Sequence, residues 1–289
     1  MRIVDMLTRG RPTISFEFMA PRNDTEVGVL EHTIATLVGH APDWVSVTYR
    51  VSTGEKTLGL VTRIKRQYHI EAMAHLTCAN TADETRHILN WMEREGVGNV
   101  LALRGDPPGP GEPFEAVDPR LVHASDLISL VRTSGYRFGV GAACSAEKHP
   151  ESPDLEHELR YVKMKVDLGA DFLITQLFFD NRHYFDLVKR ARAAGIEVPI
   201  VPGLMPVPSR RSLSVMTTMS GATVPDVLQA AIDAAPDDDV IREVGVRHCI
   251  GQCAELLEAG VPGLHFYTFN RARGPIAILS ALRGQLLAS

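Results

Sequence analysis

The sequence predicts an α/β protein of the (β/α)8 TIM-barrel class, with residues 1–289 forming a single domain. From Thr13 onward, about eight short apolar runs alternate with helical patterns, which is the order of elements in a closed barrel of parallel strands. The chain length of 289 residues is also one that such barrels reach undivided. No internal repeat, low-complexity tract or linker interrupts the pattern.

A doubly wound sheet is the alternative fold for alternating strands and helices. It is disfavoured because no predicted strand is followed by the GxGxxG fingerprint of dinucleotide-binding sheets. The nearest run, GVGAAC at residues 139–144, departs from that fingerprint at its last position and opens no helix.

The strands are predicted from short apolar runs bounded by turn residues. They lie at residues 13–19, 44–49, 71–77, 98–104, 138–144, 172–177, 198–204 and 263–269. Each of them is followed by a plausible helix.

Four helical segments carry clear signals. TADE at residues 81–84 is a capping box, and Gly96 is predicted to end the helix that it begins. Leu155, Leu159, Val162 and Val166 are predicted to share one buried helix face. Two helical patterns, near residues 225–235 and 240–259, lie between the seventh and eighth strands, so an extra helix is expected there. The acidic run at residues 237–239 is well placed to stabilise the positive N-terminus of the second of these helices.

The composition excludes several classes of protein. The net charge of -5 provides no basic surface for nucleic acid. No apolar run reaches the roughly 18 residues of a membrane span, and the N-terminus lacks the features of a signal peptide, so no membrane association and a cytoplasmic location are expected. The four cysteines, at residues 78, 144, 249 and 253, have no CxxC spacing, which predicts reduced thiols and no metal site.

Glu17 is the most informative single residue of the first strand. Side chains alternate along a strand, so Ile14, Phe16 and Phe18 face one side while Glu17 faces the other. An acid among hydrophobic residues loses hydration, which favours its protonated form and raises its pKa. The sequence therefore predicts that Glu17 is a proton donor with a raised pKa. The structural alternative for this segment alone is an acid at a strand end that pairs with a lysine or caps a helix.

Further polar residues fall near the ends of the predicted strands. In a parallel barrel these ends form the rim that holds the active site, so their side chains are expected to converge on a polar ligand. Individually each has a structural alternative, such as a pair between Arg104 and Asp106. The residues are Ser46, Thr48, His75, Thr77, Arg104, Asp106, Gln176, Tyr267, Asn270 and Arg271.

Ten short motifs in order resemble the methylenetetrahydrofolate reductase family over residues 13–271. They are SFEF followed by APR (15–22), SVTY (46–49), AHLTC (74–78), ALRGDPP (102–108), HASDL (123–127), HPE (149–151), KVDLGAD (165–171), ITQLFFD (174–180), PGLMP (202–206) and HFYTFNR (265–271). The resemblance implies a barrel that reduces 5,10-methylenetetrahydrofolate to 5-methyltetrahydrofolate. It implies NADH as the hydride source and leaves NADPH open.

The resemblance also implies roles for individual residues. Glu17 would protonate the arylamine nitrogen of the folate and so open its imidazolidine ring. Asp106 and Gln176 would bind the pterin, and Tyr267 and Arg271 would line the path of folate or nucleotide. Arg210, Arg211 and Arg273 are candidate contacts for the anionic tail of the folate.

Flavin is the point at which this chain departs from the family, most of whose members carry FAD. Residues at six flavin-contacting positions are kept, namely Thr48, His75, Arg104, Ala124, His149 and Lys165. Other positions differ. Tyr161 replaces a usual asparagine, Met164 replaces a usual arginine, and Arg50, His123 and Ser145 also depart from the pattern. Because each lost charged hydrogen bond costs about 1.5 to 3 kcal/mol of binding, FAD is expected to be absent and hydride transfer direct.

Three alternatives stay open at this stage. They are the same reduction through bound FAD, a deazaflavin-dependent reductase, and a folate-binding protein without catalysis. The sequence also leaves open whether the chain forms a homo-oligomer, because barrel helices are amphipathic in either case.

Overall fold

The structure is a computed structural model that describes residues 1–21, 23–49, 54–107 and 112–288. These residues form nine strands in one parallel sheet with the order β7-β6-β5-β4-β3-β2-β1-β9-β8. The strands are β1 (Thr13–Phe18), β2 (Trp44–Val47), β3 (Glu71–Thr77), β4 (Asn99–Leu103), β5 (Gly139–Cys144), β6 (Phe172–Thr175), β7 (Ile200–Val201), β8 (Gly203–Leu204) and β9 (Gly263–Tyr267).

Helices cover the outside of this sheet and alternate with the strands. Within the described ranges they are α1 (Ile3–Leu7), α2 (Asp24–Val38), α3 (Gly54–Tyr68), α4 (Ala82–Arg94), α5 (Ala124–Thr133), α6 (Leu155–Asp167), α7 (Asn181–Ala193), α8 (Arg210–Ser220), α9 (Asp226–Ala234), α10 (Asp238–Glu258) and α11 (Arg273–Ala288). The alternation and the parallel sheet confirm the predicted TIM-barrel class.

The sheet closes through a strand that is broken in two. β7 pairs with β6, and β8 pairs with β9, so the two short strands are halves of one barrel strand. Pro202 lies between them and lacks the N–H that a continuous ladder needs, although its carbonyl still accepts a hydrogen bond from His265 N at 3.0 Å. The single strand predicted at residues 198–204 is therefore two strands of two residues each.

The capping signals act as predicted. Thr81 Oγ1 accepts from Glu84 N at 3.2 Å, and the Glu84 carboxylate accepts from Thr81 N at 2.7 Å, which completes the capping box of α4. Asp237 caps α10 by accepting from the N–H groups of Asp239 and Val240.

Two helical details were not predicted correctly. Three helices rather than two lie between β8 and β9, because Ser209 caps α8 by accepting from Ser212 N at 3.1 Å. Leu155 was expected to be buried but is 41% exposed, since it is the first residue of α6 and lies at the edge of the packed face. Val162, further along the same helix, is fully buried.

The interior of the barrel is closed at its N-terminal end. Ile3 and Leu7 of α1 pack against apolar side chains that point inward, including Trp44 and Phe172. Asn99 anchors α1 by accepting from Ile3 N at 2.8 Å and donating to Met1 O at 3.0 Å. Glu71 is also buried at this end of the barrel, where its Oε1 accepts from Asn99 Nδ2 at 3.3 Å. All four cysteines are buried and unpaired, as predicted.

Candidate active site

Glu17 lies on the inner face of β1 with its carboxylate near the C-terminal mouth of the barrel. The sheet register places it beside Ser46 of β2 and Tyr267 of β9. Its side chain is 16% exposed. Glu17 Oε2 lies 3.4 Å from His75 Nε2 and 3.5 Å from His265 Nε2, so two imidazoles from β3 and β9 flank the acid.

The electrostatic balance at Glu17 differs from the prediction. Burial raises the pKa of this carboxyl, but the charges of His75 and His265 and the polar contacts of His265 and Ser46 outweigh burial and lower it. The predicted raised pKa is therefore wrong, because it took account of the apolar strand and not of the two histidines across the barrel. Burial also lowers the pKa of His75, more than the charge of Glu17 raises it.

Three polar atoms around the carboxylate have no hydrogen-bond partner among the described residues. They are Ser46 Oγ, His75 Nε2 and His265 Nε2, and all three are buried. Buried polar atoms without partners are costly and rare in folded proteins, so they mark a position where another polar group binds. This cluster lies at the mouth end of the barrel, where the site of a parallel barrel is expected.

His265 is a candidate site residue that was not predicted from the sequence. It is fully buried, its ring stacks on Trp44 with centroids 5.0 Å apart, and its Nδ1 lies 2.9 Å from Ser15 Oγ. The alternation of side chains could have found it, since His265 is two residues from Tyr267 on the same strand and so shares its face.

Tyr267 is the last residue of β9, and its side chain reaches past Gly203 of β8 to the end of β6. Its hydroxyl donates to the carbonyl of Thr175 on β6 at 2.7 Å. The ring can lie there because residue 203 is glycine: a Cβ at Gly203 would come within 2.7 Å of the Tyr267 ring and 2.2 Å of Thr175 O. Burial first, and then the charge of Glu17, raise the pKa of Tyr267, so it remains a neutral donor.

The loop after β9 is tied to the first strand. Thr268 Oγ1 donates to the carbonyl of Glu17 at 2.6 Å, and Asn270 Oδ1 accepts from Met19 N at 2.9 Å. Phe269 and Asn270 both adopt left-handed backbone conformations, with φ of 50° and 56°. The side chain of the next residue, Arg271, is exposed.

A second group of predicted residues lies around the loops after β4 and β5. Both terminal nitrogens of Arg104 donate to the carboxylate of Glu151, the longer bond measuring 2.8 Å, and the guanidinium lies 5.5 Å from the ring centroid of Phe114. Arg104 thus pairs with Glu151 and not with Asp106, which is exposed. The exposed His149 accepts from Glu151 N through Nδ1 at 3.2 Å.

Lys165 of α6 is half-buried beside this group. Its Nζ donates to the carbonyl of Ala143 at 2.7 Å, and its pKa is lowered because burial outweighs the charge of Glu158. Glu158 in turn accepts from Ser152 Oγ at 2.7 Å. Each of these charged groups therefore already has a partner from the chain itself.

The remaining predicted residues occupy the same end of the barrel. Thr48, directly after β2, is half-buried and accepts from Ala20 N at 3.3 Å. Gln176, directly after β6, is half-buried, and its backbone N donates to Cys144 O at 2.7 Å. Ala124 is the first residue of α5. Arg50 lies outside the described residues.

Metal binding and membrane spanning find no support in the part of the chain that the structure describes. No group of three or more His, Cys, Asp or Glu side chains there could hold a metal ion. No described helix is both long and apolar enough to cross a bilayer.

Comparison with known proteins identifies the family. The family model for methylenetetrahydrofolate reductase matches residues 2–283. The chain belongs to the methylenetetrahydrofolate reductase family. It is 36% identical over 279 residues to 5,10-methylenetetrahydrofolate reductase of Escherichia coli, a match that covers 95% of this chain and 92% of that one.

Relatives of this family in plants are longer. The chain is 33% identical over 295 residues to methylenetetrahydrofolate reductase (NADH) 1 of Zea mays, covering 97% of this chain and 50% of the maize protein. It thus spans about half the length of such relatives. Among solved structures, a Clostridium thermocellum protein that binds two copies of 5-methyl-5,6,7,8-tetrahydrofolic acid has a TM-score of 0.67 at 18% identity, covering 99% of this chain and 98% of that one. That likeness supports the shared barrel fold.

The residues at the family's flavin positions do not fit a tightly held FAD in this structure. Arg104, a cation that the resemblance assigns to the flavin, is already paired with Glu151, and Lys165 is bound to a backbone carbonyl. Tyr161 and Met164 present exposed side chains, 48% and 41%, where the family has an amide and a cation. A diphosphate that used Arg104 would therefore have to displace the exposed carboxylate of Glu151, and it would find no cation at position 164.

Proposed function

We propose that this chain reduces 5,10-methylenetetrahydrofolate to 5-methyltetrahydrofolate with hydride from NADH, and that residues 1–289 act as one catalytic domain. Membership of the family supports the reaction, and the names of the maize and Arabidopsis relatives support NADH as donor. The observation that carries the proposal is the carboxylate of Glu17 at the barrel mouth, flanked by two buried imidazole nitrogens without hydrogen-bond partners.

Glu17 is the general acid in this proposal. It delivers a proton to the arylamine nitrogen of the methylene bridge, the bond between that nitrogen and the methylene carbon breaks, and the remaining iminium carbon accepts hydride. Positioned acid catalysis of this kind is worth about a hundredfold to ten-thousandfold in rate. Asp106 and Gln176 are proposed to bind the pterin, while Tyr267 and Arg271 line the approach to it.

Hydride is proposed to pass directly from nicotinamide to folate, without a flavin between them. The support is the poor fit of the flavin positions, above all the pairing of Arg104 with Glu151 and the uncharged residues Tyr161 and Met164. Direct transfer is chemically sufficient because an iminium carbon is electrophilic enough to accept hydride from a dihydronicotinamide. NADPH remains open as an alternative donor.

Reduction through bound FAD is the second candidate, and one observation favours it. Thr48, His75, Arg104, Ala124, His149 and Lys165 keep the residue types of the family's flavin-contacting positions and lie at the C-terminal end of the barrel. Under this alternative the Arg104–Glu151 pair would open when FAD binds.

The deciding experiment compares activity with flavin content. The protein is purified without added flavin, its visible spectrum is recorded, and oxidation of NADH is followed with and without methylenetetrahydrofolate. We expect a colourless protein that oxidises NADH only when the folate is present. A yellow protein whose rate rises in proportion to bound FAD would replace direct transfer by the flavin route. If the protein oxidises neither NADH nor NADPH in the presence of methylenetetrahydrofolate, with or without added FAD, the reductase proposal is wrong.

A further inference from the structure

We propose that Glu17 and His265 share one proton, held between Oε2 of the carboxylate and Nε2 of the imidazole, and that Ser15 fixes this arrangement from the other side of the ring. The inference rests on the proposed function, because it names the source of the proton that Glu17 delivers to folate. It makes His265 a positioning residue that acts through Glu17.

In the proposed arrangement Ser15 donates to the carbonyl of Leu264, and this direction sets the tautomer of His265. Ser15 Oγ lies 3.2 Å from the carbonyl of Leu264 and 2.9 Å from His265 Nδ1. A carbonyl can only accept, and a serine hydroxyl has one proton to donate. When Ser15 donates to Leu264, it must accept from His265, so Nδ1 carries a proton.

The opposite nitrogen then faces the carboxylate. In a neutral ring with its proton on Nδ1, Nε2 presents a lone pair to Glu17 Oε2, which lies 3.5 Å away. Two acceptors that face each other repel, so a proton between them is favoured, on either the ring or the acid. The separation is long for a hydrogen bond, as is common for catalytic groups before substrate binds.

The surroundings of His265 favour a positive ring. The imidazole stacks on the face of Trp44 with an interplanar angle of 11°, and an aromatic face attracts a cation. Tyr267 contacts the ring edge-on, with centroids 5.4 Å apart. The charge of His75 and the contacts and charge of His265 lower the pKa of Glu17, which agrees with an ionised carboxylate facing the two rings.

The other groups that face this pair do not compete for the proton. On β3, His75 lies 3.4 Å from the same carboxylate oxygen, but burial lowers its pKa and so disfavours a proton on that ring. On β9, Tyr267 keeps its own proton, which it donates to Thr175 O. Strand β2 contributes Ser46 and Trp44, which carry no charge. The cluster therefore holds one exchangeable proton.

The proton balance of the reaction follows from this arrangement. The proton moves from His265 Nε2 to Glu17 Oε2, and from there to the arylamine nitrogen of the folate. That nitrogen keeps the electron pair of its broken bond to the methylene carbon, and hydride from NADH adds to the carbon. His265 is left neutral and regains a proton from solvent once the product has left.

The first test observes the proton directly. Protein labelled with 15N in histidine is studied by NMR across neutral pH, and the signals of His265 are assigned by comparison with His265→Gln. We expect Nδ1 to be protonated, and we expect Ser15→Ala to lose this preference. A neutral ring protonated on Nε2 alone would overturn the proposal. This measurement is informative even if the protein has no reductase activity.

The second test uses the pH dependence of turnover. In His265→Gln we expect the alkaline limb of the kcat/KM pH profile to move to lower pH by about one unit or more. We also expect kcat at neutral pH to fall about tenfold or more, because positioned acid catalysis contributes about a hundredfold to ten-thousandfold in rate. Affinity for 5-methyltetrahydrofolate should stay within about threefold, which also checks folding. The exposed His87→Gln, on α4, should match the wild type.

The outcomes separate this inference from the proposed function. If the wild type turns over, Glu17→Gln is inactive and His265→Gln keeps the wild-type pH profile, the shared proton is refuted while Glu17 remains the acid. If Glu17→Gln is fully active, the proposed role of Glu17 is itself wrong.

Discussion

The side chain of Asn270 pairs with the backbone of Met19, accepting from its N–H and donating to its carbonyl, both at 2.9 Å. Asn270 holds a left-handed conformation with φ of 56°. Two residues before Met19 in the chain lies Glu17, whose own carbonyl accepts from Thr268. The loop after β9 therefore helps to position the strand that carries the proposed acid.

Asn270→Ala is expected to destabilise the protein by about 1 to 3 kcal/mol, because it removes both hydrogen bonds and leaves a Cβ in the left-handed region. Asn270→Gly removes the same hydrogen bonds, but glycine adopts the left-handed conformation without strain. This variant should therefore lose less stability than Asn270→Ala. Urea unfolding of the two variants measures the difference. Equal losses would mean that the backbone conformation contributes nothing.

Glu17→Gln is expected to lower kcat by about a hundredfold or more, since an amide cannot supply the proton. Affinity for 5-methyltetrahydrofolate, measured by calorimetry, should change little because the side-chain volume is kept. The exposed Glu258→Gln on α10 is the matched control and should retain full activity. Turnover by Glu17→Gln at the wild-type rate would contradict this prediction.

Gly203→Ala is expected to destabilise the barrel by about 1 to 3 kcal/mol, in the range of an overpacked core. The new methyl group would overlap Thr175 O and the ring of Tyr267, so activity should fall as well. Gly251→Ala provides the contrast, since this glycine lies in α10 with nothing within 4 Å of the added Cβ. That control should gain up to about 1 kcal/mol from helix propensity. Similar melting temperatures for the two variants would show that the close approach is unimportant.

Restoring the family residues on α6 should recover flavin binding. In the double variant Tyr161→Asn with Met164→Arg, we expect affinity for added FAD to rise about tenfold or more, because a charged hydrogen bond is worth about 1.5 to 3 kcal/mol. Quenching of flavin fluorescence measures it. Met219→Arg on α8, also exposed, adds the same charge elsewhere and should bind FAD as the wild type does. If the double variant shows no gain in FAD affinity, the poor fit for FAD does not lie at these two positions of α6.

Stability should depend on pH through His75. Burial lowers the pKa of His75 in the folded protein below its ordinary value of 6.5. As the pH falls below 6.5, the unfolded chain takes up a proton that the folded protein does not, so the free energy of unfolding decreases by up to about 1.4 kcal/mol per pH unit until the folded pKa is reached.

Denaturant unfolding between about pH 8 and pH 5 tests this expectation, because the range brackets an ordinary histidine pKa. His75→Gln should show a flatter dependence than the wild type, whereas His40→Gln, which removes an exposed histidine, should not. Parallel curves for the wild type and His75→Gln would contradict the neutral, buried state of this ring.

Sequence by itself determined the features that depend on near neighbours along the chain. Alternation placed Glu17 on the face opposite Phe16 and Phe18, the residues at 81–84 determined a helix start, and the order of strands and helices determined a parallel barrel. These follow from backbone geometry and hydrogen bonds within a few residues, which any short stretch carries with it.

Only the tertiary structure decided which groups face one another across the barrel. Glu17 has a lowered pKa because His75 and His265 lie 3.4 Å and 3.5 Å away, although His265 is nearly the whole chain apart from it in sequence. Arg104 is paired with Glu151 and not with Asp106, its neighbour in sequence. Electrostatic effects act over distances in space, and barrel closure sets those distances between strands that local patterns treat as independent.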